Sequence, residues 1–443
     1  MVNKESYDQE MDRREYRHNR RVRNQIIAYI VTAFVVIAIA VAAFFGVRHL
    51  MGVMEDKKHA EELQQQLEEL SEMETETPVI EAPLEEEKTE EVPEQKDYLD
   101  EIVDACITEM PIEDKVAGLF MITPEALTGT DTAIKAGDTT KEKLGEYAVG
   151  GLIYFSKNIK SADQLTEMLQ NTRVYSKYPL FLGVDEEGGE ISRVAKSGLA
   201  ENVGKAADIG ASGDAQQAKA AGETIGNYLA GFGFNVNFAP VADVNVTEDS
   251  IIGDRSYGND AEQVGTMVAA AVEGTESAGI SACLKHFPGM GSTSEDTHAG
   301  MAGSERTAEE LAQTELVAFQ AGIDAGAELV MVSHLSFPQV TGDNTPSSLS
   351  SVMINDILRG QLGYNGIVIT DAMDMGAITA YYTADQAAVM ALQAGADMIL
   401  MPEDFETAYN GVLEAVNNGT LTEDRIDESL RRIFRVKYKD KVE

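Results

Sequence analysis

The chain has 443 residues, of which 35 are basic and 75 are acidic, so its formal net charge is −40. An acidic surface repels a phosphate backbone, and we therefore expect no nucleic-acid partner. The two cysteines, Cys106 and Cys283, are too few for a disulfide framework or a four-cysteine zinc site. Both lie in apolar runs, and we expect two buried free thiols instead of one disulfide.

The N-terminal segment is typical of a membrane anchor. Residues 26–47 are 22 consecutive uncharged residues, which is enough for one helix to span the hydrocarbon core of a bilayer. Six arginines precede this run within residues 1–25. This concentration of positive charge before the uncharged run predicts a cytoplasmic basic tail, with everything after the anchor outside the cytoplasm. The alternative is a cleaved signal peptide and a secreted protein, although the apolar region of a signal peptide is usually shorter.

Residues 48–97 are dominated by glutamate and contain three prolines but few large apolar side chains after Leu70. Such a segment cannot bury enough apolar surface to offset the entropy lost on ordering. We therefore expect an extended acidic stalk that links the anchor to a catalytic domain at residues 98–443.

From residue 98 onward, short apolar runs alternate with stretches of helical spacing. The strand candidates are Val116–Thr123, Gly150–Phe155, Leu180–Val184, Asn235–Val241, Ser281–His286, Leu329–His334, Gly366–Thr370 and Met398–Met401. Helices are predicted at 162–173, 214–231, 260–278, 306–325, 350–361, 384–394 and 423–437. The alternation predicts an α/β fold with a parallel sheet, in the form of a single (β/α)₈ barrel. A doubly wound open sheet is the alternative.

Polar residues follow several of the predicted strands at the point where each strand ends. In a (β/α)₈ barrel the chemistry lies at these C-terminal ends, so we expect the residues to meet at one rim. They are Asp185 to Gly189 after the third strand, Lys285 and His286 on the fifth, Ser333 and His334 on the sixth, and Asp371 on the seventh.

The longest motif begins Lys285-His286-Phe-Pro-Gly-Met-Gly and continues to Asp296-Thr-His298. At this spacing the aspartate can hydrogen-bond one imidazole nitrogen and leave the other free for proton transfer. The motif resembles the signature of glycoside hydrolase family 3, in its bacterial β-N-acetylglucosaminidase branch, and the resemblance covers residues 100–440. It implies a single barrel in which His298, paired with Asp296, is the general acid/base on a mobile loop.

A second motif, Ile-Thr-Asp-Ala-Met-Asp-Met at 369–375, ends the seventh predicted strand. A rigid, partly desolvated carboxylate at this place suits a nucleophile that attacks an anomeric carbon. The resemblance implies that Asp371 is this nucleophile. Asp374 is the local competitor, and we expect it to enter a helix as a capping or first-turn residue.

The resemblance further implies a group of side chains that bind the sugar, namely Asp185, Arg193, Arg255, Lys285 and His286. A planar guanidinium holds paired oxygens in a defined geometry, although each arginine could instead form a salt bridge that only stiffens a loop. Position 190 is glutamate where relatives usually carry arginine, which puts the preferred leaving group in doubt.

These residues together predict a retaining exo-glycosidase that releases terminal β-linked N-acetylglucosamine through a covalent glycosyl-enzyme. We expect peptidoglycan fragments or chitin-type saccharides as substrates, no metal or organic cofactor, and a monomeric catalytic domain.

Five alternatives stay open. A substrate-assisted hexosaminidase would use Asp185 and Glu186 to orient the acetamido group. A phosphorylase would pass the sugar to phosphate, and a β-glucosidase of the same family would need a second domain, for which we expect no room after residue 443. A metal-dependent hydrolase would bind zinc, with His286, His298 and His334 as the candidate ligands. A non-catalytic wall-binding module is the fifth.

Overall fold

The computed structural model describes residues 98–439. The predicted basic tail, membrane anchor and stalk lie outside the described residues, so the predicted boundary of the catalytic domain at residue 98 stays a prediction. Across residues 98–439, the helices are too short or too polar to span a bilayer.

Eight parallel strands form one closed sheet. They are β1 Phe120–Ile122, β2 Gly151–Tyr154, β3 Phe181–Val184, β4 Val236–Asn237, β5 Ser281–Phe287, β6 Leu329–Val332, β7 Ile367–Thr370 and β8 Ile399–Leu400. Neighbours follow chain order from β1 to β7, and β8 pairs with β1. A bridge between Ile369 and Met398 joins β7 to the residue before β8. The predicted barrel is therefore confirmed, and the open-sheet alternative is wrong.

Helices alternate with these strands along the described chain. They are Tyr98–Glu109, Ile112–Ala117, Pro124–Thr128, Asp138–Glu146, Ala162–Tyr175, Ala206–Ser212, Ala215–Phe232, Ala261–Ser277, Ala308–Gln313, Glu315–Asp324, Pro338–Thr341, Val352–Gln361, Gly376–Thr379, Ala384–Ala394, Phe405–Asn417 and Glu423–Tyr438. Val352–Gln361 is a π-helix. Six of the predicted helices, at 162–173, 214–231, 260–278, 350–361, 384–394 and 423–437, are confirmed to within two residues at each end.

Local side chains explain where several helices begin. The Ser161 hydroxyl accepts the N–H of Gln164, whose side chain bonds back to the N–H of Ser161. The Asp260 and Asp404 carboxylates likewise accept an N–H in the first turn of the helices that follow them. Each cap satisfies a backbone donor that has no partner within the helix.

Large aromatic side chains fill the barrel region. Phe120, Phe181, Phe238 and Phe287 are fully buried, and the buried Tyr154 hydroxyl donates to Thr172 at 3.1 Å. A barrel filled in this way is a packed core and not a pore, so chemistry is confined to the strand ends.

Two strands, the first and the fourth, are each five residues shorter in the structure than the sequence predicts. Val116 belongs to the helix Ile112–Ala117, which begins directly after Pro111 and is buried over four of its six residues. Periodicity cannot separate a short buried helix from a short buried strand. The fourth strand keeps regular pairing only at Val236–Asn237, and Pro240 beyond it has no N–H to donate to a ladder.

The predicted helix 306–325 is broken at Thr314. Arg306 donates to the Thr314 hydroxyl at 2.9 Å and forms an ion pair with the fully buried Glu315 at 2.8 Å. The break turns Glu315 inward to meet this guanidinium, an interaction that helical spacing does not reveal.

Cys106 and Cys283 are both free thiols, as predicted. Cys283 is buried in β5, whereas Cys106 is only half-buried and its sulfur lies 3.7 Å from the Tyr438 hydroxyl. The expectation of full burial is therefore wrong for Cys106.

Asp397 joins the C-terminal helix to the barrel. Its fully buried carboxylate accepts from Arg359 at 2.6 Å, from Arg432 at 3.0 Å and from the Ser429 hydroxyl at 2.8 Å. It also accepts the N–H of Val368 in β7 at 2.9 Å. One carboxylate thus binds two guanidinium groups and ties them to a strand.

We predict that Asp397→Ala destabilises the protein by about 3 to 5 kcal/mol, because it leaves the arginines without their buried counter-charge. Urea unfolding measures this change. The matched control is Asp104→Ala, which removes an exposed pair with Arg431 at 2.8 Å and should cost less than about 1 kcal/mol. Equal losses in the two variants would contradict the prediction.

Candidate active site

The C-terminal ends of β5, β6 and β7 lie at one level of the barrel. Val332 pairs with Phe287 on one side and with Thr370 on the other. His286 and Asp371, which adjoin these residues in sequence, therefore lie at the same rim.

Lys285 lies at the centre of the charged group at this rim. Its ammonium nitrogen is 2.8 Å from Asp185 Oδ1 and 2.7 Å from Glu187 Oε1, and its side chain is only 3% exposed. Burial alone would lower the pKa of Lys285, but the two carboxylates outweigh it and the pKa is raised. Lys285 is therefore a fixed cation.

The two predicted arginines join the same group. Arg255 binds Glu187 through two hydrogen bonds of 2.8 Å, and its Nη2 lies 3.4 Å from His286 Nε2. Arg193 Nη2 lies 3.5 Å from Asp185 Oδ2. The structure thus brings all five predicted sugar-binding residues together. Both arginines are paired with carboxylates, so the stiffening salt bridges are present and contact with a sugar stays a prediction.

Glu187 also belongs to this group, although the sequence analysis placed it only at the rim and not among the sugar-binding residues. Burial would raise its pKa, but Lys285 and Arg255 lower it to about 2. The signal was present, because residues two apart in an extended segment point to the same side. Asp185 and Glu187 are two apart and share Lys285.

Glu186 points elsewhere and is buried. It accepts the N–H groups of Val194 at 2.7 Å and Ala195 at 2.9 Å, and the Tyr228 hydroxyl at 2.9 Å. Burial raises its pKa despite these donors. Glu186 therefore holds the hairpin formed by Glu186–Gly188 and Ile191–Ser192, and the structure does not bring it beside Asp185 as an acidic pair.

Asp243 is a residue that the sequence analysis missed. Its fully buried Oδ2 lies 2.8 Å from His286 Nδ1 and accepts the His286 backbone N–H at 3.2 Å, while Oδ1 accepts the N–H of Met290 at 2.7 Å. The carboxylate requires a proton on Nδ1, so in neutral His286 the Nε2 is an acceptor. Asp243 follows β4, and its position at a strand end was the only signal.

Asp371 is the first residue after β7 and is half-buried. Its N–H donates to Val332 O at 2.8 Å, and its Oδ1 accepts the N–H of Ala372 at 2.8 Å. Burial would raise its pKa, but the basic side chains nearby, with His286 foremost, and the Ala372 N–H lower the pKa below its ordinary value. The carboxylate is thus ionised and held by one oxygen.

Asp374 does not enter a helix as predicted. The next helix is Gly376–Thr379, and the residue at its cap is Met375, which provides no side-chain hydrogen bond. Asp374 is only partly covered by its neighbours, and this partial burial of its carboxyl, together with the charge of Asp371, raises its pKa.

The predicted Asp296–His298 pair is formed. Asp296 Oδ1 lies 2.8 Å from His298 Nδ1 and also accepts the His298 backbone N–H at 2.9 Å. The imidazole is 76% exposed, which leaves Nε2 accessible. The pair has the arrangement that proton transfer through Nε2 requires.

The loop carrying His298 contacts the segment that follows Asp371. Thr297 O accepts the N–H of Ala377 at 3.0 Å, and His298 O accepts the N–H of Gly376 at 3.3 Å. A Cβ atom at Gly376 would lie 2.7 Å from His298 O, so this close approach requires glycine. The imidazole and the Asp371 carboxylate are therefore carried by segments that touch.

The three histidines proposed as zinc ligands are otherwise engaged. His334 uses both nitrogens, at 2.8 Å from the Ser348 hydroxyl and 2.9 Å from Ala372 O. His286 and His298 each use Nδ1 for an aspartate. Within residues 98–439, no three His, Cys, Asp or Glu residues are grouped as metal ligands.

Glu190, the predicted departure near the pocket, is 76% exposed and paired with Lys196. It lines a cavity of about 250 Å³ together with Lys205 and Asp254. Glu187 and Arg255 also line this cavity, so it adjoins the charged group.

The pKa of Glu187 predicts a pH-dependent stability. The pKa is about 2 when folded against an ordinary 4.5. The stabilisation is therefore complete above the unfolded value and is lost as pH falls towards the folded value. We expect Glu187→Gln to cost about 3 kcal/mol at neutral pH, because it unbalances a buried network. The difference in unfolding free energy between Glu187→Gln and the unmodified protein should become smaller once the pH falls below the unfolded pKa.

Urea unfolding at stepped pH measures this difference. The control is Glu190→Gln, whose exposed carboxylate is screened by solvent and should give a small difference at every pH. If Glu187→Gln lowers the free energy of unfolding by the same amount at every pH tested, the lowered pKa of Glu187 is contradicted.

Comparison with known proteins identifies the family. Residues 111–436 match the model of the glycosyl hydrolase family 3 N terminal domain. The chain is 31% identical over 328 residues to beta-hexosaminidase A of Pseudoalteromonas piscicida, covering 67% of this chain and 54% of that protein. It is 37% identical over 280 residues to a beta-hexosaminidase of Stenotrophomonas maltophilia, covering 61% of this chain and 82% of that protein.

A solved structure shares the fold. The family 3 beta-N-acetylglucosaminidase of Paenibacillus sp. FPU-7 superimposes with a TM-score of 0.69 at 36% identity, over 75% of this chain and 63% of that one. The chain thus spans about half to two thirds of two of these relatives. A family match over most of the sequence, together with the barrel itself, shows that the chain belongs to glycosyl hydrolase family 3.

Proposed function

We propose that the protein is a retaining exo-β-N-acetylglucosaminidase that hydrolyses terminal β-linked N-acetylglucosamine through a covalent glycosyl-enzyme. The observation that carries the proposal is the ionised Asp371 carboxylate at the end of β7, with the Asp296–His298 pair docked on the segment that follows it. The family and the beta-hexosaminidase relatives support the same activity.

The first step forms a bond to Asp371. Oδ2, which accepts no hydrogen bond from residues 98–439, attacks the anomeric carbon while Oδ1 stays on the Ala372 N–H. The bond to the leaving oxygen breaks, and His298 Nε2 gives that oxygen a proton. The product is a glycosyl ester on Asp371 and a free leaving group.

The second step releases the sugar. His298 Nε2 takes a proton from water, the water oxygen attacks the anomeric carbon, and the ester bond to Asp371 breaks. Asp296 holds the proton on His298 Nδ1 through both steps. The backbone N–H and the ring of His298 lower the pKa of Asp296, so it stays ionised beside the imidazolium that forms.

The charged group around Lys285 binds the sugar in this proposal. Asp185 and Glu187 are acceptors, Lys285 and Arg255 are donors, and the Nε2 of His286 faces the same space. Because these groups already hold one another, they are oriented before the sugar arrives.

The covalent mechanism is favoured over a substrate-assisted one by the position of Glu186. A substrate-assisted site needs an acidic pair at the acetamido group, and the Glu186 carboxylate is occupied by two N–H groups and the Tyr228 hydroxyl. Asp185 is left without an acidic partner next to it in sequence.

The natural setting is proposed from the sequence alone. The uncharged residues 26–47 support a membrane anchor with the catalytic domain outside the cytoplasm, where peptidoglycan fragments or chitin-type sugars would be the substrates. Recovery of the full chain in the membrane fraction after an alkaline carbonate wash tests the anchor, and its release would refute it.

The activity is tested with the full chain and aryl glycosides. We expect turnover of an aryl β-N-acetylglucosaminide well above that of the matching β-glucoside, and labelling of Asp371 by a 5-fluoro N-acetylglucosaminyl fluoride, which traps the ester. Mass spectrometry of the peptide containing residues 369–375 locates the label.

Asp374→Asn is the control, since it removes the neighbouring carboxylate, and it should label normally whereas Asp371→Asn should not. If the protein hydrolyses the aryl β-N-acetylglucosaminide but the fluorinated sugar forms no covalent bond to it, the covalent step is refuted. Sugar 1-phosphate that appears only when phosphate is added would show a phosphorylase instead.

The role of His298 predicts a dependence on the leaving group. His298→Ala should lower the rate for a saccharide leaving group by about 10² to 10⁴, the usual contribution of general acid/base catalysis. A dinitrophenyl leaving group needs no proton, so formation of the ester should be nearly unchanged in a pre-steady-state burst.

Ser294→Ala, on an exposed residue of the same loop, is the control and should leave both rates unchanged. An equal loss for both leaving groups in His298→Ala would mean that the imidazole does not donate the proton.

A further inference from the structure

His334 is a fully buried histidine beneath the site that the proposed mechanism does not use. It lies two residues beyond the end of β6, next to β7, the strand that Asp371 follows. A buried histidine at this place either only fills the core or affects the reaction, and its hydrogen bonds distinguish the two roles.

The hydrogen-bond partners of His334 fix its tautomer. A carbonyl oxygen only accepts, so the 2.9 Å contact with Ala372 O requires a proton on Nε2. In the neutral ring Nδ1 is then an acceptor, and the Ser348 hydroxyl donates to it at 2.8 Å. Burial lowers the pKa of His334 despite the nearby charge of Asp371, which keeps the ring neutral.

Ala372 contacts both His334 and Asp371, because its carbonyl accepts from His334 and its N–H donates to Asp371. That N–H donates to Asp371 Oδ1 at 2.8 Å. Ala372 is thus held from both sides, by the imidazole at its carbonyl and by the carboxylate at its N–H. The two groups belong to adjacent peptide units, so a shift of Ala372 away from His334 would strain the bond from its N–H to Asp371 Oδ1 and free the carboxylate for other rotamers.

The backbone of Asp371 is fixed independently by its N–H bond to Val332 O at 2.8 Å. The remaining freedom lies in the side chain. The bond from Ala372 decides which carboxylate oxygen is occupied, and therefore that Oδ2 is the oxygen left to attack.

We propose that His334, held by Ser348, is a positioning residue that fixes Ala372 and thereby aims Oδ2 of Asp371 at the anomeric carbon. The inference rests on the proposed function, in which Asp371 is the nucleophile. Misplacing a reacting atom by about 1 Å can cost about 100-fold in rate, so the loss should appear in the rate of bond formation and not in sugar binding.

The side chains of glutamine and asparagine separate this role from simple packing. The amide nitrogen of Gln reaches the place of Nε2 in histidine, so His334→Gln keeps a donor for Ala372 O. The amide of Asn reaches only the place of Nδ1, so His334→Asn keeps a polar group near Ser348 but has no donor for the carbonyl.

The experiment measures trapping of the full chain by the 5-fluoro N-acetylglucosaminyl fluoride, which reports the maximal trapping rate and the inhibitor's dissociation constant separately. We expect His334→Asn to lower the trapping rate by about 10- to 100-fold, with the dissociation constant within about twofold. His334→Gln should stay within about fivefold of the unmodified protein in both quantities.

A second pair of variants keeps the test decisive if His334→Asn fails to fold. Ser348→Ala removes the hydroxyl that orients the ring, and Ser347→Ala removes a neighbouring buried hydroxyl that donates to Leu335 O at 2.6 Å. We expect the trapping rate to fall at least about threefold more in Ser348→Ala than in Ser347→Ala. Thermal unfolding of each variant monitors the loss of packing.

The outcomes separate the two proposals. If the unmodified protein is labelled on Asp371 and His334→Asn is trapped as fast, or His334→Gln is as slow as His334→Asn, the positioning role is overturned. The same holds if Ser348→Ala and Ser347→Ala behave alike. If the unmodified protein carries no label on Asp371, the proposed function fails, and the positioning role fails with it.

Discussion

The closure of the sheet between β7 and β8 is the constraint on which the site depends. The Thr370 N–H donates to Met398 O at 3.1 Å, and the Met373 N–H donates to Leu400 O at 2.9 Å, on either side of Asp371. With the strand end held in this way, Asp371 cannot move away from the rim. Closure also makes the rim a ring, so side chains from β3, β5 and β7 face a common centre instead of a line along a sheet edge.

The charged group at this rim is better explained by orientation than by stability. Buried ion pairs contribute little net folding energy, because removing the charges from water offsets their attraction. Lys285, Asp185, Glu187 and Arg255 nevertheless hold one another at 2.7–2.8 Å. Fixed donors and acceptors of this kind do not have to reorganise when a sugar arrives.

The sequence could predict the fold and the main site residues because both signals are local. Alternating strand and helix patterns gave the barrel, and continuous motifs gave Asp371, the Asp296–His298 pair and the residues around Lys285. Asp243 was missed because its partner His286 is 43 residues away and no single motif contains both residues. The alternative that paired Glu186 with Asp185 finds no support in the structure, because adjacent residues in an extended segment face opposite sides. The break at Thr314 was hidden for a related reason, since the Arg306–Glu315 pair that accompanies it leaves no trace in helical periodicity.

The contact between Gly376 and the His298 loop has a consequence for the movement of that loop. The loop base is held on the β4 side, where the Ile251 N–H donates to Thr293 O at 2.9 Å, whereas the tip is held by the N–H groups of Gly376 and Ala377. Together those two hydrogen bonds contribute about 1 to 3 kcal/mol, which is little enough for them to break and re-form readily. The two parts of the loop are thus held independently, so release of Gly376 and Ala377 would free the tip and its imidazole while the base stays on Ile251.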